Sequence, residues 1–548
     1  MSTPYPHLAN RVGGGHPTVT SRRARERLLL CLTVVVPVVL ALAISIRMPS
    51  PDVRSVLEVL VLVLGSVGVV ALVVSTRYAV TLTLLALYLG LLDGPIKLES
   101  TSRLTSGFRD ILIIAIAVGM LMRIGLKRER VTMPPLSSWV LAFVAVVLVE
   151  ALNPRTGGLL KAVGGYRQQL EWVPFFFFGY LIMRSKQRFR QLFLVLGVIA
   201  LANGVVGTVQ SRLSPAELAR WGPGYNQRLS GNGGGRTFRS EGESHPRPLA
   251  LGSDAGFGGG VGVLAMPGLV ALLMAGGVRR RWPVVLCSLG ALAGIATAAS
   301  RTTVISLVVV LLSYTALSLF VRLKLSRALI GMIVVGMLAA GIGSALIATS
   351  GAGIFKRQES LPSVVSAQVP AVVGTQVGIS GEAEEESEAG GDAKAKHLSQ
   401  IPGIIGNEPL GLGLGSAGSV AGFGGKVEKA IEEQKVSGGS AYNLLAVELG
   451  LPGLLLWVGL TINVFVLVAT RLRRIVDPEL RTYLVAIVAS FIGVTVQGLG
   501  GPTLAVSPAG IYLWFVPGVI AYWLAGAGRS AMSPRAARRA IAPAVVAS

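Results

Sequence analysis

Apolar runs of about 17–25 residues recur along the chain, each long enough to cross a bilayer core as a helix. Short basic or polar turns separate them. The pattern predicts fourteen spans: 28–46, 56–75, 79–92, 110–121, 136–152, 172–183, 191–209, 257–277, 283–299, 304–321, 328–348, 446–470, 482–499 and 511–527. The third and fourth are short, so the expected number is 12 to 14. Lipid offers the backbone no hydrogen-bond partners, so such runs must be helical. A transmembrane barrel would show alternating segments of roughly 10 residues, a pattern these runs lack. The expected fold is an all-α polytopic membrane protein with two long extracytoplasmic loops.

Composition agrees. Of 548 residues, 52% are hydrophobic and 14% charged, and the mean hydropathy is +0.66. The first apolar run is full length and lacks a small-residue cleavage site, so a cleavable signal peptide is not expected. Cys31 and Cys287 lie inside apolar runs, which reads as packing rather than a disulfide or metal site. The four histidines, His7, His16, His245 and His397, form no ligand cluster, so neither a metal nor a cofactor is expected. No phosphate-binding P-loop, dinucleotide fold or serine triad is present, and ATP-driven transport lacks a motor in this chain.

The net charge of +23 would suit nucleic acid, but its placement argues for a membrane. With the N-terminus inside, the cytoplasmic segments hold 28 of the 50 Lys and Arg. They hold only Glu26, Glu129, Asp477 and Glu479 of the 27 acids. The basic excess therefore sits on one face, as the positive-inside pattern requires. Clusters such as Arg279-Arg280-Arg281 and Arg471-Leu472-Arg473-Arg474 read as topology determinants beside anionic lipid, not as a nucleic-acid site. The domain layout that follows is a basic cytoplasmic tail at 1–27, a membrane domain at 28–527 and a second basic cytoplasmic tail at 528–548. Gly and Ala richness and the preference for Arg over Lys point to a high-GC bacterium, which makes the cytoplasmic (inner) membrane the expected location.

The two outer loops, 211–256 and 351–440, collect the polar residues, and long loops of this kind are usually functional or disordered. The acidic insert 381–392 reads as a solvated flap. Ser300-Arg301-Thr302, at the outer end of a span, reads either as a snorkelling arginine or as an anion ligand facing a cavity. Lys356-Arg357 opens the second loop, and Lys394-Ala395-Lys396-His397 lies further along it. Cations converging from such separate segments suit a phosphate, and the arginine fork matches two of its oxygens. Glu448, six residues after Tyr442 and just inside an apolar helix, reads as a functional carboxylate or as an ion-pair partner. In the first loop, Gly233-Gly234-Gly235-Arg236-Thr237-Phe238-Arg239 combines flexible backbone with two arginines. Trp221 and Tyr225 nearby suggest sugar stacking. Arg109-Asp110 and Tyr166-Arg167 read as helix-end anchors.

Several of these stretches together resemble the O-antigen ligase and Wzy-type polysaccharide polymerase superfamily. Members show Tyr-Leu at a helix start, Glu six residues after the Tyr, then Gly-Leu-Pro-Gly-Leu-Leu. Here Tyr442, Glu448 and Gly450-Leu451-Pro452-Gly453-Leu454-Leu455 correspond. Ser300-Arg301 matches a second signature. Asn407-Glu408-Pro409-Leu410-Gly411-Leu412-Gly413-Leu414-Gly415 is similar to the run closing the family's large outer loop, and residues 236–240 to a stretch in exopolysaccharide members. Where the family often has His-Asn, this chain has Gly439-Ser440, and His397 or His245 would have to substitute.

The resemblance implies a metal-independent glycosyltransferase at the outer face. It would move a glycan from an undecaprenyl-diphosphate carrier to a polysaccharide or lipid acceptor. In that reading Arg301, Arg357, Lys396, Arg236, Arg239 and Tyr442 bind the diphosphate or sugar. Glu448 or His397 is the base. The competing class is a lipid-linked oligosaccharide flippase or transporter, which would need polar residues at mid-span. A third reading is a non-catalytic membrane scaffold.

Overall fold

The structure, a computed structural model, describes residues 51–99, 103–129, 131–156, 158–229, 237–240, 243–254, 256–275, 281–298, 300–321, 323, 392–420 and 440–526. It describes the backbone alone at 51–60, 103–106, 227–229, 237–240, 243–246, 301, 392–397 and 419. The expected spans 28–46 and 328–348, both tails and the insert up to residue 391 lie outside these residues.

The chain is an all-α polytopic membrane protein. Its helices are α1 Pro51–Ser75, α2 Tyr78–Glu99, α3 Arg103–Leu126, α4 Ser137–Glu150, α5 Leu159–Leu170, α6 Pro174–Ile182 and α7 Lys186–Gln210. They continue with α8 Phe257–Met274, α9 Trp282–Thr297, α10 Arg301–Phe320, α11 Asp392–Asn407, α12 Ala441–Arg471, α13 Pro478–Gln497 and α14 Ala509–Ile520. Among the described residues, six helices are long and apolar enough to cross a membrane, and four shorter apolar helices accompany them.

Two spans that read as short are longer. α2 continues to 22 residues through a π turn at Tyr88–Leu92, and α3 has 24. Asn203 on α7 satisfies the loosened ladder at that turn. Its Nδ2 donates to the carbonyls of Gly90 at 3.0 Å and Ile199 at 2.9 Å. The sixth expected span, 172–183, is corrected: α6 has nine residues, about 14 Å, roughly half of what a bilayer core needs. Pro174 and the turn before it break the rod, and the preceding α5, LLKAVGGYRQQL, is too polar to extend it through lipid.

Helices α8 and α13 lie at the centre and bury most of their side chains; α10 and α8 both pack on α13. α7 packs on α8 and α9, α1 on α3, α4 on α12, and α6 on α14. Small residues set the closest crossings, as membrane helices use them. A Cβ on Gly518 would stand 1.9 Å from the Phe176 carbonyl oxygen, and one on Gly179 2.2 Å from that of Phe515, so α6 and α14 touch backbone to backbone. Leu64, Val67, Leu121, Leu148, Val205 and Leu319 remain exposed on the outer helices, an apolar surface that suits lipid rather than water.

Polar contacts gather at two opposite ends of the bundle. At one, Lys186 contacts Asp477 at 2.7 Å, Arg190 contacts Glu479, and Arg123 reaches Glu129 at 3.0 Å. All of these lie at helix ends and turns that the charge pattern groups on one side. At the other end lie Asp93, Arg109, Arg167, Glu171 and the Arg155–Glu408 pair.

The loop 211–256, expected on the outer side, is more ordered among its described residues than its composition suggests. Short helices form at Pro215–Ala219 and Pro223–Leu229, and Thr237–Ser240 (β1) pairs antiparallel with Glu243–Pro246 (β2), Arg239 opposite Ser244. Gln210 ties this loop to α7, its Nε2 donating to the Tyr225 hydroxyl at 3.2 Å and the Ala250 carbonyl at 3.1 Å.

The α6–α14 contact sets a test. Gly518→Val is expected to destabilise the fold by at least about 1–3 kcal/mol, because neither backbone can move aside. Gly403→Ala, whose Cβ would meet nothing within 4 Å, is the control. Thermal midpoints of the two variants in detergent make the comparison.

Candidate functional site

The site forms where α12 breaks. Pro452 has no N–H to give the Glu448 carbonyl, and Gly450 adopts φ 59°, ψ −156°, so the helix is two pieces, 441–449 and 451–471. The second piece, about 31 Å long, crosses a bilayer by itself. A segment of the loop 351–440 fills the break. The Leu412 N–H donates to the Val447 carbonyl at 2.7 Å, and the Leu451 N–H donates to the Pro409 carbonyl at 2.8 Å. These two bonds replace the single helical bond that Leu451 and Val447 would have made to each other. The fit allows no side chain: a Cβ on Gly411 would lie 2.7 Å from the Gly450 nitrogen, and one on Gly450 2.4 Å from the Pro409 oxygen.

Glu448 sits just before the break and is fully buried. Its Oε1 accepts from Gln168 Nε2 at 3.1 Å and, at 3.4 Å, from the Ala417 N–H. Its Oε2 accepts from Gln169 Nε2 at 2.7 Å. Gln168 also donates to the Ala417 carbonyl at 3.2 Å. Lys161, only 4% exposed, supplies the nearby positive charge. Donors from α5 and from the loop thus surround one carboxylate, and Gly411, Gly413, Gly415 and Gly418 all take positive φ to bring the loop there. Asn153 adds a bond to the Gly411 carbonyl at 3.5 Å, and Arg155 pairs with Glu408.

A second polar assembly begins three residues beyond Gln168. Arg109 on α3 pairs with Glu171 and contacts Asp93 at 3.4 Å. Lys97 contacts Asp93 at 2.9 Å, and Arg167 contacts Asp110 at 2.8 Å. The Arg109 guanidinium lies 4.8 Å from the Trp172 ring centroid. Three cations and three carboxylates balance, so this network ties α2, α3 and α5 together rather than offering spare charge to a ligand. Burial pushes the Glu171 carboxyl above the usual range, with Arg109 pulling against it.

The expected site residues separate into three groups. Glu448 is in the cradle, its oxygens engaged and without exposed surface. Tyr442 starts the same helix, but its hydroxyl donates to the Thr495 carbonyl at 3.4 Å, away from the carboxylate. Arg301 is the first residue of α10, beside the start of α8, where a Cβ on Gly259 would stand 2.7 Å from Thr303 Cγ2. Lys396 and His397 lie on α11, which packs on α12 through Ile404. Arg239 lies on β1, and Arg236 and Arg357 fall outside the described residues. Tyr225 is buried beneath Leu98, Leu218 and Leu249, so of the expected stacking pair only Trp221 presents a face.

Gln168, Gln169, Lys161 and Asn443 were not singled out from the sequence. Asn443 is fully buried, and neither atom of its amide finds a partner among the described residues. The available signal was two adjacent amides and a lysine in a short segment between apolar runs. Arg109-Asp110 and Arg167, read as separate helix-end anchors, are members of one network.

No family model, curated protein or solved structure matches this chain.

Two substitutions test the arrangement. Gln169→Leu removes the shortest donor to a buried carboxylate and is expected to cost about 1.5–3 kcal/mol, read from denaturation in detergent. Arg109→Met strands Glu171 and Asp93 and is expected to cost about 3–5 kcal/mol; adding Glu171→Gln should recover part of it in a double-mutant cycle.

Proposed function

We propose that this protein is a glycosyltransferase of the O-antigen ligase and polysaccharide polymerase type. It acts on undecaprenyl-diphosphate-linked glycans at the outer face of a bacterial cytoplasmic membrane, with both termini cytoplasmic. The observation that carries this reading is the meeting of two family-like motifs distant in sequence. The Glu448–Gly450–Pro452 helix start and the 407–415 glycine run interlock, the loop's Leu412 and Pro409 completing the broken helix. Two motifs that resemble one family would meet in this way if they form one working unit.

In this reading the carrier's tail lies in lipid and its diphosphate sits at the interface. An acceptor hydroxyl oxygen attacks the anomeric carbon as the bond from that carbon to the diphosphate oxygen breaks. The electron pair leaves on undecaprenyl diphosphate, and the hydroxyl proton passes to a base. Arg301, at the N-terminus of α10, stabilises the departing charge, a position where the helix dipole adds to the guanidinium. With Glu448 held inside the cradle, His397 is the candidate base, and Glu448 keeps the loop in place.

One observation favours the transporter reading. The broken helix α12 and the α5–α6 break, with a buried charge network beside them, are features of carriers that bind solutes at interrupted helices. The experiment separates the two. Purified protein in detergent, given undecaprenyl-diphosphate-linked glycan and no nucleotide, is expected to release undecaprenyl diphosphate together with a transferred or lengthened glycan. Arg301→Ala at normal membrane level is expected to abolish that release. Glycan-lipid crossing of liposomes without release would instead establish transport.

A further inference from the structure

The end of the bundle opposite the Glu448 cradle carries a cluster that the proposed transfer does not use. Arg123 on α3 and Arg188 on α7 both approach the ring of Tyr78, with guanidinium carbons 4.1 and 5.4 Å from its centroid. Arg184 lies 5.3 Å from the Tyr180 ring and 5.4 Å from the Tyr522 ring, and those rings meet edge to face at 5.6 Å. Arg188 stands between the two groups, close enough to feel Arg184, Arg123, Tyr78 and Tyr522. Three arginines thus share one aromatic pocket formed by α2, α3, α6, α7 and the chain after α14.

The charges do not balance. Glu129 is the carboxylate in the cluster, and it is engaged by Arg123 Nε at 3.0 Å and the Tyr78 hydroxyl at 2.8 Å. Arg184 and Arg188 contact no carboxylate among the described residues. Arg184 Nε donates to the Tyr180 carbonyl at 3.2 Å, and Arg188 donates to the Ile182 carbonyl. Both remain partly exposed. This differs from the Arg109 network, where each cation has an acid. Beside Arg123 on α3, Met122 and Leu126 present exposed apolar side chains. Arg123 is also committed to the Val73 and Thr76 carbonyls, but the Arg184 and Arg188 guanidinium groups, with spare N–H donors at a helix end near an apolar surface, fit a phosphate attached to acyl chains.

We propose that Arg184 and Arg188, with Arg123 and the Tyr78, Tyr180 and Tyr522 rings, form a site for the phosphate of an anionic phospholipid headgroup. The charge pattern places this end in the cytoplasmic leaflet. The guanidinium forks take the phosphate oxygens, the rings wall the site and hold the arginines in place, and Glu129 limits the net charge.

The test uses delipidated full-length protein in a neutral detergent. The thermal midpoint is titrated with phosphatidylglycerol, phosphatidylcholine and, separately, glycerol phosphate. Phosphatidylglycerol is expected to stabilise saturably and phosphatidylcholine not. Arg184→Ala with Arg188→Ala is expected to weaken the phosphatidylglycerol response by on the order of tenfold. Arg474→Ala, an exposed charge at the same end, is expected to change it by less than about twofold. Glu129→Gln is expected to tighten it, which keeps the proposal open to refutation if the double variant fails to fold. Stabilisation by glycerol phosphate equal to that by the lipid would show a soluble phosphate ligand and overturn the lipid assignment. An unchanged response in the double variant, an equal loss in Arg474→Ala, or no tightening in Glu129→Gln would overturn the site.

Discussion

One buried carboxylate controls the arrangement of one end of the bundle. Glu448 is removed from water and can stay there only while Gln168, Gln169 and the Ala417 N–H donate to it. Those donors belong to a short polar helix and to a loop, neither of which has a core of its own. The loop in turn supplies two backbone bonds in place of the helical bond that α12 loses between Leu451 and Val447. Helix break, loop and α5 are therefore one cooperative unit. Such interdependence lets a loop that follows a long polar stretch settle against a membrane helix with its backbone satisfied.

The two ends of the bundle handle charge differently. Near Glu448, buried cations and carboxylates are matched, and the Arg109 network costs little net charge while fixing α2, α3 and α5. At the opposite end the arginines outnumber the acids and rest on tyrosine faces and backbone carbonyls. A matched network holds helices together. An unmatched one has donors left for an anion. Between the ends, α8 and α13 carry almost no charge, and close glycine contacts take over from polar bonds.

Much of this architecture was legible in the sequence, for identifiable reasons. Apolar length gave the helices, because lipid leaves the backbone no alternative. The kink in α12 was missed: 446–470 read as one unbroken span, although Gly450 and Pro452, whose backbone effects are local, lie within it. The partners of Glu448 were not legible, since Gln168 and Gln169 lie 280 and 279 residues away and nothing near Glu448 names them. The sixth span misled because Phe175, Phe176, Phe177 and Phe178 read as a membrane crossing. Hydropathy does not register that the rod is interrupted by the turn before Pro174 and stops at Met183, leaving nine residues between. Tyr225 read as a stacking platform because exposure, which decides between a platform and a plug, depends on Leu98 and Leu249 closing over it.

By itself, then, the chain determined that this is a helical membrane protein and where most helices run. Those properties follow from the length of apolar runs. Only the tertiary structure decided which polar groups meet. It closed Glu448 inside a cradle and joined the Arg109 and Arg167 segments into one neutral network. It also left Arg184 and Arg188 without carboxylates among the described residues. Each outcome depends on helices packing at distances of a few ångströms, and no local pattern of residues encodes which distant side chain will arrive there.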